Sequence, residues 1–247
     1  MLLNWIIVFS ILGSVVSIAG AALLLFFPDS IRKSLLPCLL SYAIGTLLGA
    51  AFLGMIPNAL KLATPLAVSG TVLAGIVLFF MLEKLIIWRH CHDNKCKVHA
   101  ATGPLILIGD GFHNFVDGIV IAAAFLTSIP LGLATSLAVI AHEVPQEVGD
   151  FAILLNNGYS KKRALTLNLL SSLTTLPGAI IAYFFLGATQ EAVPFILAIS
   201  AASFIYIAVA DLVPGLHRQT GLMSSLRQLF LMLAGISTIA IFQLMKQ

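Results

Sequence analysis

Two short stretches of this sequence carry residues that bind metal ions, and in each the side chains recur at helical spacing. The stretches are His113-Asn114-x-x-Asp117-Gly118 and His142-Glu143-x-Pro145-Gln146-Glu147. Because each residue of an α-helix turns by about 100°, residues four apart lie only about 40° apart on its surface. Each stretch therefore presents an imidazole, an adjacent oxygen ligand and a further oxygen ligand one turn later on a single face.

Two such faces turned toward each other would form a cage of nitrogen and oxygen donors. That mixture of ligands suits Zn²⁺, and Mn²⁺, Fe²⁺ or Co²⁺ also fit on geometry. An isolated buried histidine is usually satisfied by a hydrogen bond, whereas two histidines, each with same-face oxygens, favour a metal site. The predicted metal ligands are His113, Asn114, Asp117, His142, Glu143 and Gln146.

The rest of the chain is unusually apolar. Of 247 residues, 60% are hydrophobic and 9% are charged, against roughly 25% charged residues in typical soluble proteins. Apolar runs of about 20 residues, long enough to cross a bilayer, recur along the sequence. The composition therefore predicts an all-α polytopic membrane protein. The net charge of +3 comes from short basic clusters between the apolar runs, so no nucleic-acid partner is expected. The three cysteines are too few to form a disulfide framework.

The apolar runs predict eight transmembrane helices in a single domain over residues 1–247. The predicted spans are Trp5–Phe27, Leu36–Leu60, Leu66–Trp88, Ala101–Thr127, Leu131–Asn156, Ala164–Leu186, Pro194–Val213 and Leu222–Met245. The first run lacks a basic n-region and is too long for the apolar part of a signal peptide, so it is predicted as a span. The two metal-binding stretches fall in helices four and five.

The distribution of basic residues predicts the orientation. Only Lys61 and Lys246 follow an even-numbered helix. The other 11 of the 13 basic residues are Arg32, Lys33, Lys84, Arg89, Lys95, Lys97, Lys161, Lys162, Arg163, Arg218 and Arg227. The positive-inside rule then places the loops after odd-numbered helices in the cytoplasm and both termini outside. The expected location is a cell membrane, which in a bacterium would be the inner membrane.

Further acidic residues lie inside the predicted spans, where an isolated charge costs at least about 2.5–3.5 kcal/mol. Such residues need a polar interior, a partner or an ion, so they are candidates for a second metal position or a path. They are Asp110, Glu147, Asp150 and Asp211. Pro145 adds a backbone feature, because a proline inside a helix leaves the carbonyl of Ala141 without its usual partner. Broken helices near the midplane commonly form the ion sites of transporters.

Helices four and five resemble the motifs of the ZIP family of divalent-metal transporters. GDGFHNFVDGIVIAAAF is similar to the family's HNxxDG motif, and HEVPQEVGDFAILL matches HExPHE at every position but one. Similar stretches are GTLLGAAFLGMIPNAL in helix two, NLLSSLTTLPGA in helix six and FIYIAVADLVP in helix seven. The resemblance covers nearly the whole chain. It implies eight spans with both termini outside, and helices four and five enclosed by two inverted three-helix repeats.

The resemblance also implies a two-metal centre at the same six residues, with Asp117 shared between the two metals. Glu147 matches the motif without a clear role as a ligand. This chain departs from the pattern at Gln146, where family members have His or Glu, and a neutral amide should weaken the second metal position. Acidic or histidine residues common in helix two and after helix seven are absent here. Their positions are held by Ala50, Gly54, Asn58 and Gly215, while Met55 is a thioether that is more typical of packing.

The loop after helix three carries a second set of candidate donors. They are His90, Cys91, His92, Cys96 and His99. The C-x4-C spacing fits no closed structural zinc site, and thiols in the cytoplasm stay reduced. The loop is interpreted either as a transient metal acceptor at the exit, similar to the His-rich loops of the family, or as a solvated loop.

The function predicted is transport of a divalent metal into the cytoplasm, with Zn²⁺ as the first choice and Fe²⁺, Mn²⁺ or Cd²⁺ as alternatives. The metal is cargo, so no cofactor is expected and the protein is not predicted to be an enzyme. Two alternatives are a metal-sensing or interaction protein on a degenerate ZIP scaffold, and an intramembrane metalloprotease, since His142-Glu143-x-x-Gln146 is one residue short of HExxH. A homodimer is left open, because Gly13, Gly20, Gly45 and Gly49 permit close helix packing.

Overall fold

The computed structural model describes residues 1–90, 102–217 and 221–244, and these form a bundle of long helices without a strand. We number the helices α1 to α8 in chain order. They are α1 (Leu2–Phe26), α2 (residues 29–60), α3 (Pro65–His90), α4 (Thr102–Thr127), α5 (Ile129–Asn156), α6 (Lys161–Ala188), α7 (Val193–Leu216) and α8 (Leu222–Leu244). They correspond one to one with the predicted helices. Most ends lie within about three residues of the prediction, but α2 begins seven residues earlier, at Asp29.

Three of these helices are composite. The segments of α2 are Asp29–Gly49, a π-helical turn Ala50–Met55 and Ile56–Leu60. The segments of α7 are Val193–Tyr206, a π-helical turn Ile207–Leu212 and Val213–Leu216. Helix α6 consists of Lys161–Ser172 and Thr175–Ala188, and the short 3₁₀ helix Gln190–Ala192 precedes α7.

Prolines explain where the backbone is irregular, although not at the predicted place. Pro145 lies inside α5, which nevertheless runs unbroken from Ile129 to Asn156. The π-helical turns of α2 and α7 instead end just before Pro57 and Pro214. Because proline lacks an N–H and crowds the preceding turn, wider i→i+5 pairing can accommodate it there. Helix α5 therefore continues through its proline, and the π-helical turns lie in α2 and α7 instead.

Seven of the described helices are long and apolar enough to cross a membrane, which confirms an all-α polytopic membrane protein. Helix α5 has 28 residues but does not reach the same apolarity, because the metal-binding stretch interrupts its apolar sequence. A count of eight spans therefore depends on α5 and stays a prediction.

The helices pack as two groups that meet along α5. In the first group, α4 packs against α5 and α6, and α1 packs against α5 and α6. In the second group, α2 packs against α8 and α7, and α3 packs against α7. Helix α5 also contacts α2, which joins the two groups. The apolar core is continuous across both groups, and Met55 is buried within it as a packing residue.

Small residues bring the helices together within one chain. A Cβ on Gly45 would collide with the Met232 backbone, and one on Gly235 would collide with the Tyr42 carbonyl, so α2 and α8 are in backbone contact. Gly49 faces Ile239 and Gly20 faces Val144, whereas Gly13 has nothing within 4 Å of a Cβ. Three of the four glycines considered for dimerisation thus serve packing inside the chain, and a homodimer stays a prediction.

Helix α5 begins where its sequence specifies a start. The Ser128 hydroxyl accepts a hydrogen bond from the backbone N–H of Leu131 at 3.3 Å, which satisfies one of the four free donors at a helix N-terminus. Pro130 occupies the first turn, where its missing N–H costs nothing. This start positions His142 about three and a half turns into α5, beside α4.

Candidate metal centre

Four of the predicted ligands come together between α4 and α5. His113 and Asp117 lie one turn apart on α4, and His142 and Glu143 are neighbours on α5. One ligand atom from each residue falls within 4.8 Å of the other three. The helical spacing that predicted two facing stripes is therefore realised for these four side chains.

Five of the six distances between the four ligand atoms are close to those of a tetrahedral zinc site. The Nε2 atoms of His113 and His142 are 3.1 Å apart. His113 Nε2 lies 3.8 Å from Asp117 Oδ2 and 3.4 Å from Glu143 Oε1. His142 Nε2 lies 3.3 Å from Asp117 Oδ2 and 3.6 Å from Glu143 Oε1. Zn²⁺ with bonds of about 2.0–2.1 Å to nitrogen and oxygen spaces tetrahedral ligands about 3.3–3.4 Å apart. The five measured edges bracket that spacing.

The charge and burial of the four residues suit a divalent cation. Asp117, His142 and Glu143 are buried, while the His113 side chain keeps 22% of its surface exposed. The carboxylate oxygens of Asp117 and Glu143 accept no hydrogen bond, and the histidine nitrogens 3.3–3.8 Å away form ion pairs with them only when protonated. With both imidazoles neutral, two buried carboxylates would be strongly unfavourable without a cation. Two ionised carboxylates and two neutral imidazoles would balance the two charges of Zn²⁺.

A backbone contact orients the deeper histidine. His142 Nδ1 lies 3.0 Å from the carbonyl oxygen of Ala138, one turn earlier on α5. Since a carbonyl only accepts hydrogen bonds, Nδ1 carries the proton, and the lone pair of the neutral ring is on Nε2. That atom is the one facing the other three ligand atoms. Such contacts fix the tautomer and ring orientation of metal-binding histidines.

Helix α6 supports the centre by backbone contact with α4. A Cβ on Gly118 would collide with the Thr175 carbonyl, and a Cβ on Gly178 would collide with the Phe115 carbonyl. The glycine that follows Asp117 in the motif is thus required by the close approach of α6. This approach brings the Thr175 hydroxyl to 3.1 Å from Asn114 Oδ1, and the hydroxyl shares its one proton between this oxygen and the Ser172 carbonyl at 2.8 Å.

The two predicted amide ligands bind neighbouring side chains. Asn114 Nδ2 donates to Asp110 Oδ1 at 3.0 Å and to the Asp110 carbonyl at 3.2 Å. Gln146 Nε2 donates to the same Asp110 Oδ1 at 3.4 Å. Both amides therefore hold Asp110 in place, and their role as metal ligands stays a prediction.

The secondary candidates are distributed differently. Asp110 and Glu147 join Glu143 in a second group of buried carboxylates within 4.8 Å of one another. Asp150 is partly buried on α5, outside both groups. Asp211 lies on the π-helical turn of α7, and its side chain is outside the described residues, as is that of His90. The other loop donors, Cys91, His92, Cys96 and His99, also lie outside the described residues.

Polar positions on α6 and α1 were not among the predicted site residues. Asn168 Nδ2 donates to the Glu147 carbonyl at 3.4 Å, and the Ser14 hydroxyl donates to the Ser172 carbonyl at 2.8 Å. The spacing of these polar residues in the sequence could have identified them as a buried face. Asn168, Ser172 and Thr175 recur at positions i, i+4 and i+7, as do Ser10, Ser14 and Ser17, so each set follows one helix face.

Comparison with known proteins gives the same family as the motifs. Residues 88–243 match the family described as ZIP Zinc transporter. The chain is 34% identical to Zinc transporter ZIP13 of Pongo abelii, over 95% of this chain and 78% of that protein. It is 32% identical to Zinc transporter zipt-7.2 of Caenorhabditis elegans, over 90% of this chain and 62% of that protein.

A shorter region is more similar to another relative. The chain is 49% identical to Zinc transporter ZIP4 of Mus musculus, over 45% of this chain and 17% of that protein. ZIP proteins are transporters and not enzymes, which excludes the metalloprotease hypothesis. The family match covers more than half of the chain, and the ZIP13 alignment covers nearly all of it. The chain therefore belongs to the ZIP family of metal transporters.

Proposed function

We propose that this chain carries Zn²⁺ across a cell membrane into the cytoplasm through the centre formed by His113, Asp117, His142 and Glu143. The observation that carries the proposal is the tetrahedral spacing of four ligand atoms, two nitrogens and two oxygens, 3.1–3.8 Å apart along the five measured edges. These side chains would replace the hydration shell of the ion inside the membrane, where a bare cation has no other partners.

We propose uptake into the cytoplasm, and the distribution of basic residues supports the helix orientation that goes with it. The basic residues favour a cytoplasmic position for the start of α4 and the end of α5. The packing of α2 with α8 is matched by that of α7 with α3, and each of α2 and α7 contains a π-helical turn before a proline. These correspondences support two inverted three-helix repeats around α4 and α5, in one domain over residues 1–247. Alternating exposure of a central site is how such repeats work in transporters.

The remaining predicted residues are assigned supporting positions. Asn114 and Gln146 hold Asp110 and would contact a metal in a second position of the centre. Asp150 and Asp211 would line the path, and the His/Cys loop of residues 90–99 would accept the ion at the exit. Zn²⁺ is the expected cargo because imidazole and carboxylate together suit it, with Fe²⁺, Mn²⁺ and Cd²⁺ as competitors.

Reconstituted uptake tests this function. Proteoliposomes containing a zinc-sensitive dye should accumulate Zn²⁺ with the wild-type chain. His142→Ala and Asp117→Ala should each abolish accumulation, because each removes one of four ligands. His217→Ala and Glu191→Gln are matched controls, since both residues are exposed and lie outside the centre. Wild-type uptake by both centre variants would refute the assignment.

The same experiment separates transport from sensing. A metal sensor on a ZIP scaffold would bind a fixed number of ions for each chain and would not concentrate metal inside the vesicle. The absence of acidic ligands in α2, where Asn58 donates to the Gly54 carbonyl at 2.8 Å, motivates this alternative. Stoichiometric binding without accumulation would favour it.

A further inference from the structure

The four residues 157–160 that join α5 to α6 form a tight turn with a fixed backbone. The Gly158 N–H donates to the Leu155 carbonyl at 3.0 Å. The Tyr159 N–H donates to the Leu154 carbonyl at 3.1 Å. Gly158 has a φ of 83°, a conformation that favours glycine. The two hydrogen bonds and this φ form the Schellman motif that closes many helices, so the path of the chain from α5 into α6 is specified.

The first turn of α6 is held at the same place. The Ser160 hydroxyl accepts a hydrogen bond from the Arg163 N–H at 3.3 Å and caps the helix. Tyr159 packs on a small apolar cluster apart from the main core, in which Leu154 and Ala164 are fully buried. The guanidinium carbon of Arg163 lies 4.9 Å from the centre of the Tyr159 ring, so a cation–π contact orients this side chain.

Three consecutive positive charges lie on this turn. Lys161, Lys162 and Arg163 begin α6, and all three are exposed. Among the described residues, none of them forms an ion pair with a carboxylate. We call these three residues the basic corner. Because its charges are close together and no acid of the described chain neutralises them, the basic corner attracts anions.

An apolar surface continues from the basic corner along α6. Leu165 lies one turn after Lys161, and both Leu165 and Leu170 are exposed. The membrane-spanning stretch of α6 itself begins at Lys161, so the charges lie where a span meets the lipid headgroups. In the proposed orientation this end faces the cytoplasm, and the cytoplasmic leaflet is the one that carries anionic lipids. Charge and apolar surface thus occur in the order of a phospholipid's headgroup and acyl chains.

We propose that the basic corner binds the phosphate of an anionic phospholipid whose acyl chains lie along Leu165 and Leu170. Arginine offers paired N–H donors that match phosphate oxygens, and Tyr159 holds the Arg163 guanidinium in place for them. The fixed turn distinguishes this site from the general attraction between basic loops and a membrane, because the three charges keep one arrangement. The proposal is independent of the transported ion, since no residue of the metal centre takes part.

Native mass spectrometry of the purified full-length chain in detergent tests the proposal by counting bound lipids. Phosphatidylglycerol should bind more tightly than phosphatidylcholine with the same acyl chains. It should also raise the Tm of the wild type, because a ligand of the native state stabilises that state. Each charge near an anionic membrane surface strengthens binding by about fivefold. Lys161→Gln/Lys162→Gln should therefore bind phosphatidylglycerol about 25-fold more weakly. Lys84→Gln/Arg227→Gln, which removes two exposed basic side chains of α3 and α8, should bind it as the wild type does.

The Tm without lipid shows whether each variant is folded. If Lys161→Gln/Lys162→Gln is not, Arg163→Gln replaces it, with an expected loss of about fivefold. Wild-type affinity for phosphatidylglycerol in the folded variant would overturn the site. An equal loss in Lys84→Gln/Arg227→Gln would also overturn it, because net charge alone would then explain the binding. Glycerol 1-phosphate separates a lipid from a soluble phosphate: if it bound as tightly as phosphatidylglycerol, a lipid ligand would be refuted.

Discussion

Gly118→Ala should disable the transporter without touching any ligand atom. The added methyl carbon would collide with the Thr175 carbonyl and lie 2.7 Å from the backbone nitrogen of Ala179. Ordinary contacts of carbon are about 3.5–4.0 Å, so α6 would have to move by about 1 Å. The contacted atoms belong to the α6 backbone, so they cannot rotate away from the methyl group as a flexible side chain could. Overpacking of this kind costs about 1–3 kcal/mol.

The cost should be visible as lost stability and as lost transport. About 1 kcal/mol changes Tm by roughly 2–4 °C in a chain of this size, so we expect a decrease of roughly 2–12 °C for the purified protein in detergent. Displacing α6 would also disturb the hydrogen bond from Thr175 to Asn114. Uptake of Zn²⁺ by proteoliposomes should therefore fall even at temperatures where the variant is folded.

Gly109→Ala is the matched control, because it makes the same change on the same helix where a Cβ meets nothing within 4 Å. Replacing glycine by alanine inside a helix is otherwise stabilising by about 0.5–1 kcal/mol, so its Tm should stay the same or rise slightly. If Gly118→Ala were as stable and active as Gly109→Ala, the argument that α6 is held in backbone contact with α4 would be wrong.

Three further results are expected. X-ray absorption of the Zn²⁺-loaded chain should show nitrogen and oxygen ligands at about 2.0–2.1 Å, and His142→Ala should lose one nitrogen; an unchanged number of nitrogen ligands in His142→Ala would contradict the centre. Gln146→His should raise Zn²⁺ affinity by adding a nitrogen donor, as measured by competition with a chelating dye; unchanged affinity would mean that position 146 does not reach the metal. Thr175→Val should destabilise the chain by about 1–3 kcal/mol in thermal unfolding, because it removes the buried hydroxyl proton that Asn114 Oδ1 and the Ser172 carbonyl share, whereas Thr166→Val at an exposed position should have little effect.

The helices and the meeting of four central side chains were predictable because each depends on local spacing. Apolar runs located the helices, and the i, i+4 pattern placed His113 and Asp117 on one face. The partners of Asp110 were not predictable in this way. An amide can turn its oxygen to a metal or its N–H to a carboxylate, so the residue types of Asn114 and Gln146 do not distinguish the two partners, and only the packing of α4 against α5 does.

The π-helical turns show a second limit to what the sequence can predict. Pro145, Pro57 and Pro214 have the same local chemistry, yet α5 continues through its proline while α2 and α7 form π-helical turns before theirs. Whether a helix forms a π-helical turn before a proline depends on the neighbouring helices rather than on the proline itself. The contribution of α6 was missed for a related reason, since serine, threonine and asparagine on one helix face are common in membrane helices.

The uneven exposure of the four central side chains has a consequence for how an ion would leave the centre. His113 keeps 22% of its side-chain surface exposed, while Asp117, His142 and Glu143 are buried. In the proposed orientation α4 begins on the cytoplasmic side, so His113 lies on the cytoplasmic side of Asp117. Water would then reach this imidazole before the other three side chains, and release of the ion toward the cytoplasm would begin with the bond to His113.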